Sequence, residues 1–416
     1  DIAVVGNFSG AASTIAVAAV GANSFVISLV VNFFIGIALG ANVVIANAIG
    51  REDTDAVHRA VHTAVVVAVL GGALVTVLGE LAAGPALRAL NVPAEVLPYA
   101  LLYLRIYLLG VPVILLYNFE AAIFRSVGDT RVPLQTLAFS GVLNVLLNLF
   151  FVIVLHMTVN GVATATVLSN AISSVLLFVR LRRSDKAIHL EWTALRIDRR
   201  SLQKILQIGI PAGIQSAVFS ISNIVIQSAI NSLGTVVMAA SSAAFNIEVV
   251  AYDVLNSFSQ ACTTFVGQNY GAGKLDRCRK TLVLCLVEDA LASGIAILLV
   301  LGSGHFLLSL FNRDPEVIAL GYTRLMTVFT AYFFSMLYEV MSGYLRGFGI
   351  SLVPALLTML GVCGVRILWI ATAFPRSRTF QTILLAYPLS LAATAVLILL
   401  ALLIYHPSRR TKGEAV

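Results

Sequence analysis

Apolar residues run along this chain in blocks of about twenty, broken by short polar stretches and without the period-2 alternation of a half-buried strand. Blocks of that length span a bilayer as helices. The first runs from the N-terminus to about Val20, followed by 25–48, 60–79, 96–118, 132–155 and 161–181. After the polar stretch VRLRRSDKAIHLEWTALRIDRRSLQK come 205–232, 236–266, 281–303, 317–344, 352–373 and 380–405. Continuous runs exclude a β-barrel, whose strands alternate. The pattern predicts an all-α integral membrane protein of twelve helices. Its expected divisions are an N-terminal six-helix lobe (1–182), a basic linker (183–204), a C-terminal six-helix lobe (205–408) and a tail (409–416).

Composition agrees. Of the 416 residues 59% are hydrophobic and only 11% charged, against roughly 25% charged in soluble domains. The positive charge sits in loops. The connections after spans 2, 4, 6, 8 and 10, with the tail, hold 20 of the 27 Lys and Arg, whereas the odd-numbered connections hold only Arg88, Arg313, Arg376 and Arg378. By the positive-inside rule both ends and the central linker face the cytoplasm. The basic clusters lack interleaved aromatics, so the net charge of +7 does not indicate nucleic acid.

The chain repeats itself. At an offset of 221 residues Gly50 falls on Gly271, Asp55 on Asp276, Asn91 on Asn312, Glu95 on Glu316, Tyr117 on Tyr338, Arg125 on Arg346, Gly128 on Gly349 and Pro133 on Pro354. One register held over more than eighty residues makes the two lobes parallel repeats. FRSVGDTRVP and LRGFGISLVP close equivalent spans: Arg reaches the headgroups, Gly supplies the turn and Pro suits the first turn of the next helix. Gly36 and Gly40 form a GxxxG pair that predicts close helix packing. Pro112, Pro211 and Pro388 lie in or near spans as candidate bends.

Polar residues at membrane depth fall on helical faces. In span 7, Asn223, Gln227 and Asn231 step by four. In span 8, Asn246, Asp253, Ser257, Gln260, Thr264 and Gln268 form one stripe, while Glu248, Tyr252, Asn256 and Ser259 form another on a different side. In span 10 the stripe is Tyr332, Ser335, Glu339, Ser342 and Arg346. Such stripes serve either as interhelical hydrogen-bond glue or as the wall of a polar cavity. The intramembrane acids are Asp1, Glu120, Glu248, Asp253, Glu288, Asp289 and Glu339. Of the adjacent Glu288 and Asp289, at most one faces a cavity squarely. Arg366 is expected to neutralise one acid, with Arg105 and Arg324 as further candidates. The six His fall near span ends and loops, and the four Cys show no CxxC and no metal-site spacing with His. With no HExxH or GxSxG motif either, the chain does not read as an enzyme, and no cofactor or firm metal site is expected.

DIAVVGNFSGAASTIAVAAVGA resembles the first helix of the MATE (multidrug and toxic compound extrusion) family, in its bacterial multidrug-efflux branch. SQACTTFVGQNYGAGKLDR resembles the close of that family's eighth helix, ANAIGREDTDAVHRAV is its counterpart after the second, and the two Arg-Gly-Pro motifs resemble the ends of the fourth and tenth. Coverage is essentially the whole chain. The resemblance implies twelve helices in two lobes with a central cavity open to one side at a time. It also implies a monomer in the bacterial cytoplasmic membrane that exports bulky, often cationic organic molecules in exchange for H⁺ or Na⁺.

Asp1 matches the first-helix acid that the family uses for ion coupling, which implies that the chain opens in the middle of span 1. Ionised Asp1 favours a cationic substrate; H⁺ or Na⁺ arriving from outside removes that charge and favours release. Further coupling candidates are Glu248, Asp253 and Glu339, and the expected cavity residues are Asn223, Gln227, Asp253, Gln260, Tyr338 and Glu339. Helix 6 carries Asn170, and the first half of helix 7 carries no acid, where some relatives have acids. A lipid-linked or polysaccharide flippase of the wider superfamily is the alternative. It usually needs a basic cavity, and seven intramembrane acids against three Arg argue against it.

Overall fold

A computed structural model describes residues 2–8, 13–90, 92–405 and 407 of the chain. Its elements are α1 (Ile2–Phe8), α2 (Ser13–Gly50), α3 (Thr54–Ala89), α4 (Leu97–Ser126), α5 (Arg131–Leu149), α6 (Val159–Arg182), α7 (Arg199–Asn231), α8 (Thr235–Gly271), α9 (Leu275–Ser309), α10 (Pro315–Gly347), α11 (Leu352–Thr358), α12 (Val365–Thr372) and α13 (Phe380–Tyr405). α5 continues into a wider π-turn (Phe150–Val154), and a second π-turn (Met359–Gly364) joins α11 to α12 into one span. Eleven helices among the described residues are long and apolar enough to cross a membrane, and α1 stands where the first of the twelve is expected. No strand occurs among the described residues.

Large apolar side chains lie exposed along these helices. Leu298 on α9 is 72% exposed and Ile404 on α13 is 74% exposed, with Leu70, Leu74 and Leu78 on α3 in the same situation. A helix can present such a face to lipid because its backbone groups are satisfied within the segment.

The break between the first two spans differs from expectation. Gly21-Ala22-Asn23-Ser24 reads as a polar gap, yet α2 runs through it without interruption from Ser13. The fully buried Asn23 explains this. Its amide nitrogen donates to Ala19 O at 2.8 Å within the helix and to Ala100 O at 2.9 Å on α4. Both donors of the side-chain amide are thus satisfied inside the bundle, so they do not need a turn at the membrane surface.

The chain forms two compact units that divide at Gly213 and Ile214, inside α7. In the first, α2 packs against the N-terminal turns of α7. A Cβ on Gly36 would meet the backbone of Gly213 and Ala212, and one on Gly40 would meet Ile205 O and the backbone of Gly209. The GxxxG pair is therefore a backbone-to-backbone crossing, as its spacing predicts.

The repeat is visible within each unit taken alone. Gly128 ends α4 at φ +77° and Gly349 ends α10 at φ +81°, both in the left-handed region that favours glycine. Pro133 and Pro354 are each the third residue of the next helix, where the missing N–H has no intrahelical partner to lose.

The residues from Arg183 to Asp198 fold back onto the first unit. Ile188 and Leu190 are buried in its core. The backbone N–H of Asp198 donates to Thr63 Oγ1 at 2.9 Å. His62, also buried, donates from Nδ1 to His58 O at 2.7 Å, which leaves Nε2 to accept the N–H of Glu191 at 3.0 Å. At the loop's other edge Lys186 Nζ meets Asp129 Oδ2 at 3.0 Å. Burial acts to raise the Asp129 carboxyl but is outweighed by Lys186 and by the N–H of Val132, so it lies below the usual range. His62→Phe keeps the ring and removes the acceptor, a loss of about 1 kcal/mol. Trypsin is then expected to cut at Lys186 and Arg196 roughly five-fold faster than in wild type, as local opening becomes easier. An unchanged cleavage rate would show that Ile188 and Leu190 alone hold the segment.

Candidate functional site

The second unit is built around α8 and α10, its most extensive helix pair, and the two polar stripes of α8 separate there. The stripe of Glu248, Tyr252 and Ser259 faces α10. Tyr252 Oη donates to Glu339 Oε1 at 2.9 Å, and Ser259 Oγ donates to Glu339 O at 2.7 Å. One turn on, Thr263 Oγ1 donates to Gly343 O at 3.0 Å. Every member of the α10 stripe, from Tyr332 to Arg346, is buried. On the other stripe of α8, Asn246, Asp253 and Ser257 are exposed. One stripe is thus the seam with α10, and the second begins on an open face.

Glu248 and Arg324 form a buried ion pair in this seam. Arg324 Nε lies 2.7 Å from Glu248 Oε1, and Nη2 lies 2.8 Å from Oε2, a two-pronged contact between side chains that are nearly inaccessible. Arg324 also donates to Ser241 Oγ and, at 3.3 Å, to Tyr387 Oη. Fork-on-carboxylate geometry makes this the strongest kind of charged hydrogen bond available to a side chain.

A cavity of about 130 Å³ opens beside the pair, bounded by α7, α8, α10, α12 and α13. Its polar wall includes Asn223, Ser335, Tyr338 and Arg366; its aromatic wall includes Phe219, Phe245, Tyr252, Tyr332 and Tyr387. Arg366 is only 3% exposed. Its Nε donates to Ser390 Oγ at 3.0 Å and its Nη1 to Asn223 Oδ1 at 3.5 Å. Its guanidinium carbon lies 4.5 Å from the centre of the Tyr387 ring and 5.5 Å from that of Phe219.

The expectation that Arg366 neutralises an acid is corrected here. Among the described residues no carboxylate lies within 4.0 Å of it, and the ion pair beside it is Glu248–Arg324. The nearby acids have other partners: Glu248 is held by Arg324 and Glu339 by Tyr252. Aromatic faces and two neutral acceptors hold the guanidinium instead, an arrangement open to Arg because of its weak hydration and planar shape.

Of the residues expected to share a cavity, Asn223 and Tyr338 line this one, and Glu339 sits behind its Tyr252 wall. Gln227, Asp253 and Gln260 do not line it. Gln227 donates to Asn231 at 2.8 Å on an exposed face of α7. Asp1 lies outside the described residues. Between the adjacent acids of α9, Glu288 is exposed and Asp289 is fully buried. Asp289 accepts from Ser293 Oγ at 2.6 Å through one oxygen, and its other oxygen has no hydrogen-bond partner. Sequence reading missed the aromatic wall, because Phe219, Phe245 and Tyr387 look like any other apolar residue of a span. It also missed Glu80, which pairs with Arg105 at 3.4 Å.

Comparison with known proteins gives a consistent result. A family model described as MatE matches residues 1–150 and 211–371. A probable multidrug resistance protein of Bacillus subtilis (strain 168), YoeA, is 27% identical over 85% of this chain and 78% of its own length. A probable multidrug resistance protein of Thermotoga maritima, NorM, is 26% identical over 100% of this chain and 89% of its own. The fold of the outward-facing conformation of a multidrug resistance MATE family transporter superposes with a TM-score of 0.88, at 20% identity over 99% of this chain and 93% of that one.

Proposed function

The chain belongs to the MatE family, and from that premise we propose that it is a secondary active antiporter. In this reading it exports bulky, often cationic organic molecules across the bacterial cytoplasmic membrane in exchange for H⁺ or Na⁺. The observation that carries the reading is the family match through both halves of the chain. The names of the relatives, multidrug resistance proteins among them, support the substrate class. The asymmetry of basic loops supports cytoplasmic placement of both termini and of the segment from 183 to 204.

Coupling requires an acid that exchanges its proton or bound cation with the outside. Asp1 is our first candidate, on its place in the first-helix motif. Glu339, held by a tyrosine and not by a cation, is the second. Glu248 fits this role less well, since its two oxygens are engaged by Arg324. Asp253, on an open face of α8, remains a candidate.

The test is efflux of a fluorescent organic cation from liposomes containing the purified protein, with H⁺ and Na⁺ gradients imposed separately. One gradient is expected to drive efflux. Asp1→Asn is expected to reduce the gradient-driven rate at least ten-fold while the protein remains folded. Normal transport by Asp1→Asn would move coupling to Glu339 or Asp253, and no efflux under either gradient would overturn the antiporter reading.

A further inference from the structure

The transport reading does not account for the charge of the cavity in the second unit. Glu248 is the acid on its wall, and Arg324 cancels that charge through two short contacts. Arg366 then leaves one positive charge facing the space. Of the five N–H groups of a guanidinium, two have acceptors, Ser390 Oγ and Asn223 Oδ1. The Nη2 side of the fork has no acceptor among the described residues. Buried, unpaired cations are costly at membrane depth, and those found there mark a functional site or carry a partner. No acid among the described residues of this unit supplies that partner.

The rest of the wall selects what could. Phe219 and Tyr387 present their rings to the guanidinium, and Phe245 and Tyr332 line the cavity elsewhere. Ser335 and Tyr338 add hydroxyls, linked to each other at 3.4 Å. A volume of about 130 Å³ suits a single substituted ring or one end of a larger molecule. A carboxylate matches the planar fork of Arg, and an aromatic ring matches the walls.

We propose that this cavity binds an aromatic acid, with its carboxylate on Arg366 and its ring between the side chains of α7, α8 and α13. The substrate range of the protein then extends from organic cations to ring-bearing organic acids. Arg366 is the specificity residue, and Asn223 and Ser390 orient its fork. Describing the ligand as a substrate rests on the transport reading; its binding does not.

Equilibrium dialysis of the purified protein against salicylate and against salicylamide tests this directly. The two probes share ring and shape and differ in charge. Wild type is expected to bind salicylate roughly ten-fold or more tightly than salicylamide, the range of a charge-assisted hydrogen-bond pair. Arg366→Gln is expected to abolish the preference while leaving salicylamide binding in place. Arg366→Lys, which keeps the charge and loses the fork, should retain part of the preference. Arg105→Gln, which removes a cation from the first unit, should leave it intact.

Equal binding of the two probes by wild type overturns the proposal, as does a preference that survives Arg366→Gln. If the Gln variant has lost salicylamide too, Arg366→Lys decides: a partial preference supports the proposal, and none with salicylamide still bound overturns it. The cation-efflux experiment is read separately, so failure of transport and failure of this site give different results.

Discussion

Glu248→Gln is expected to destabilise the protein by about 3–5 kcal/mol, the usual cost of leaving one partner of a buried ion pair uncompensated. Arg324 is 2% exposed and Glu248 is 4% exposed, so both charges are largely withdrawn from solvent. Without the carboxylate charge, the guanidinium keeps neutral acceptors alone, the new amide oxygen, Ser241 Oγ and Tyr387 Oη, beside the flanking rings of Phe245 and Tyr387. Arg324→Met should cost a similar amount, because it leaves the acid uncompensated. The double replacement should recover most of the loss, since it removes both charges together. Unfolding in detergent micelles, followed for the two single variants and the double variant, measures the coupling. Additive single effects would mean that the pair is held by its surroundings and not by its own attraction.

The second large effect is expected at the crossing of α2 and α7. Gly36→Ala should destabilise by about 3 kcal/mol, at or beyond the upper end of ordinary overpacking. The added methyl meets the backbone nitrogen and Cα of Gly213 and the carbonyl carbon of Ala212. A flexible side chain could turn aside, whereas a helix backbone must move as a whole. Gly141→Ala is the control. A Cβ there meets nothing within 4 Å, and the change should stabilise α5 by about 0.5–1 kcal/mol through helix propensity. Opposite signs for two Gly→Ala changes in one lobe separate close packing from propensity. If both variants behave alike, the α2–α7 contact is looser than the structure shows.

The same contrast explains what could be read before the structure was known. Length and continuity of apolar runs determine that the helices cross a membrane, because a bilayer admits few other structures. The 221-residue repeat determines that the fold occurs twice. The left-handed glycines at 128 and 349 were legible for the same local reason: a turn at that place needs a residue without Cβ. The spacing of Gly36 and Gly40 was legible too, as small residues four apart have one main use in a membrane helix.

Pairing across helices was not legible. The periodicity of α8 predicts two polar stripes but not which one α10 covers, because period fixes direction about one axis only. Glu248 could be read as a coupling acid until Arg324, seventy-six residues away, was found on it. Arg366 could be read as a neutraliser until its surroundings proved to be Ser390, Asn223 and aromatic rings. Asn23 could be read as a break until its amide proved to bridge α2 and α4. The sequence by itself determined the solvent, the repeat of the spans and the sites of the turns other than the one expected between the first two spans, all of which depend on local covalent chemistry. Only the tertiary structure decided which charge meets which, because a buried charge is defined by neighbours that are distant in the chain.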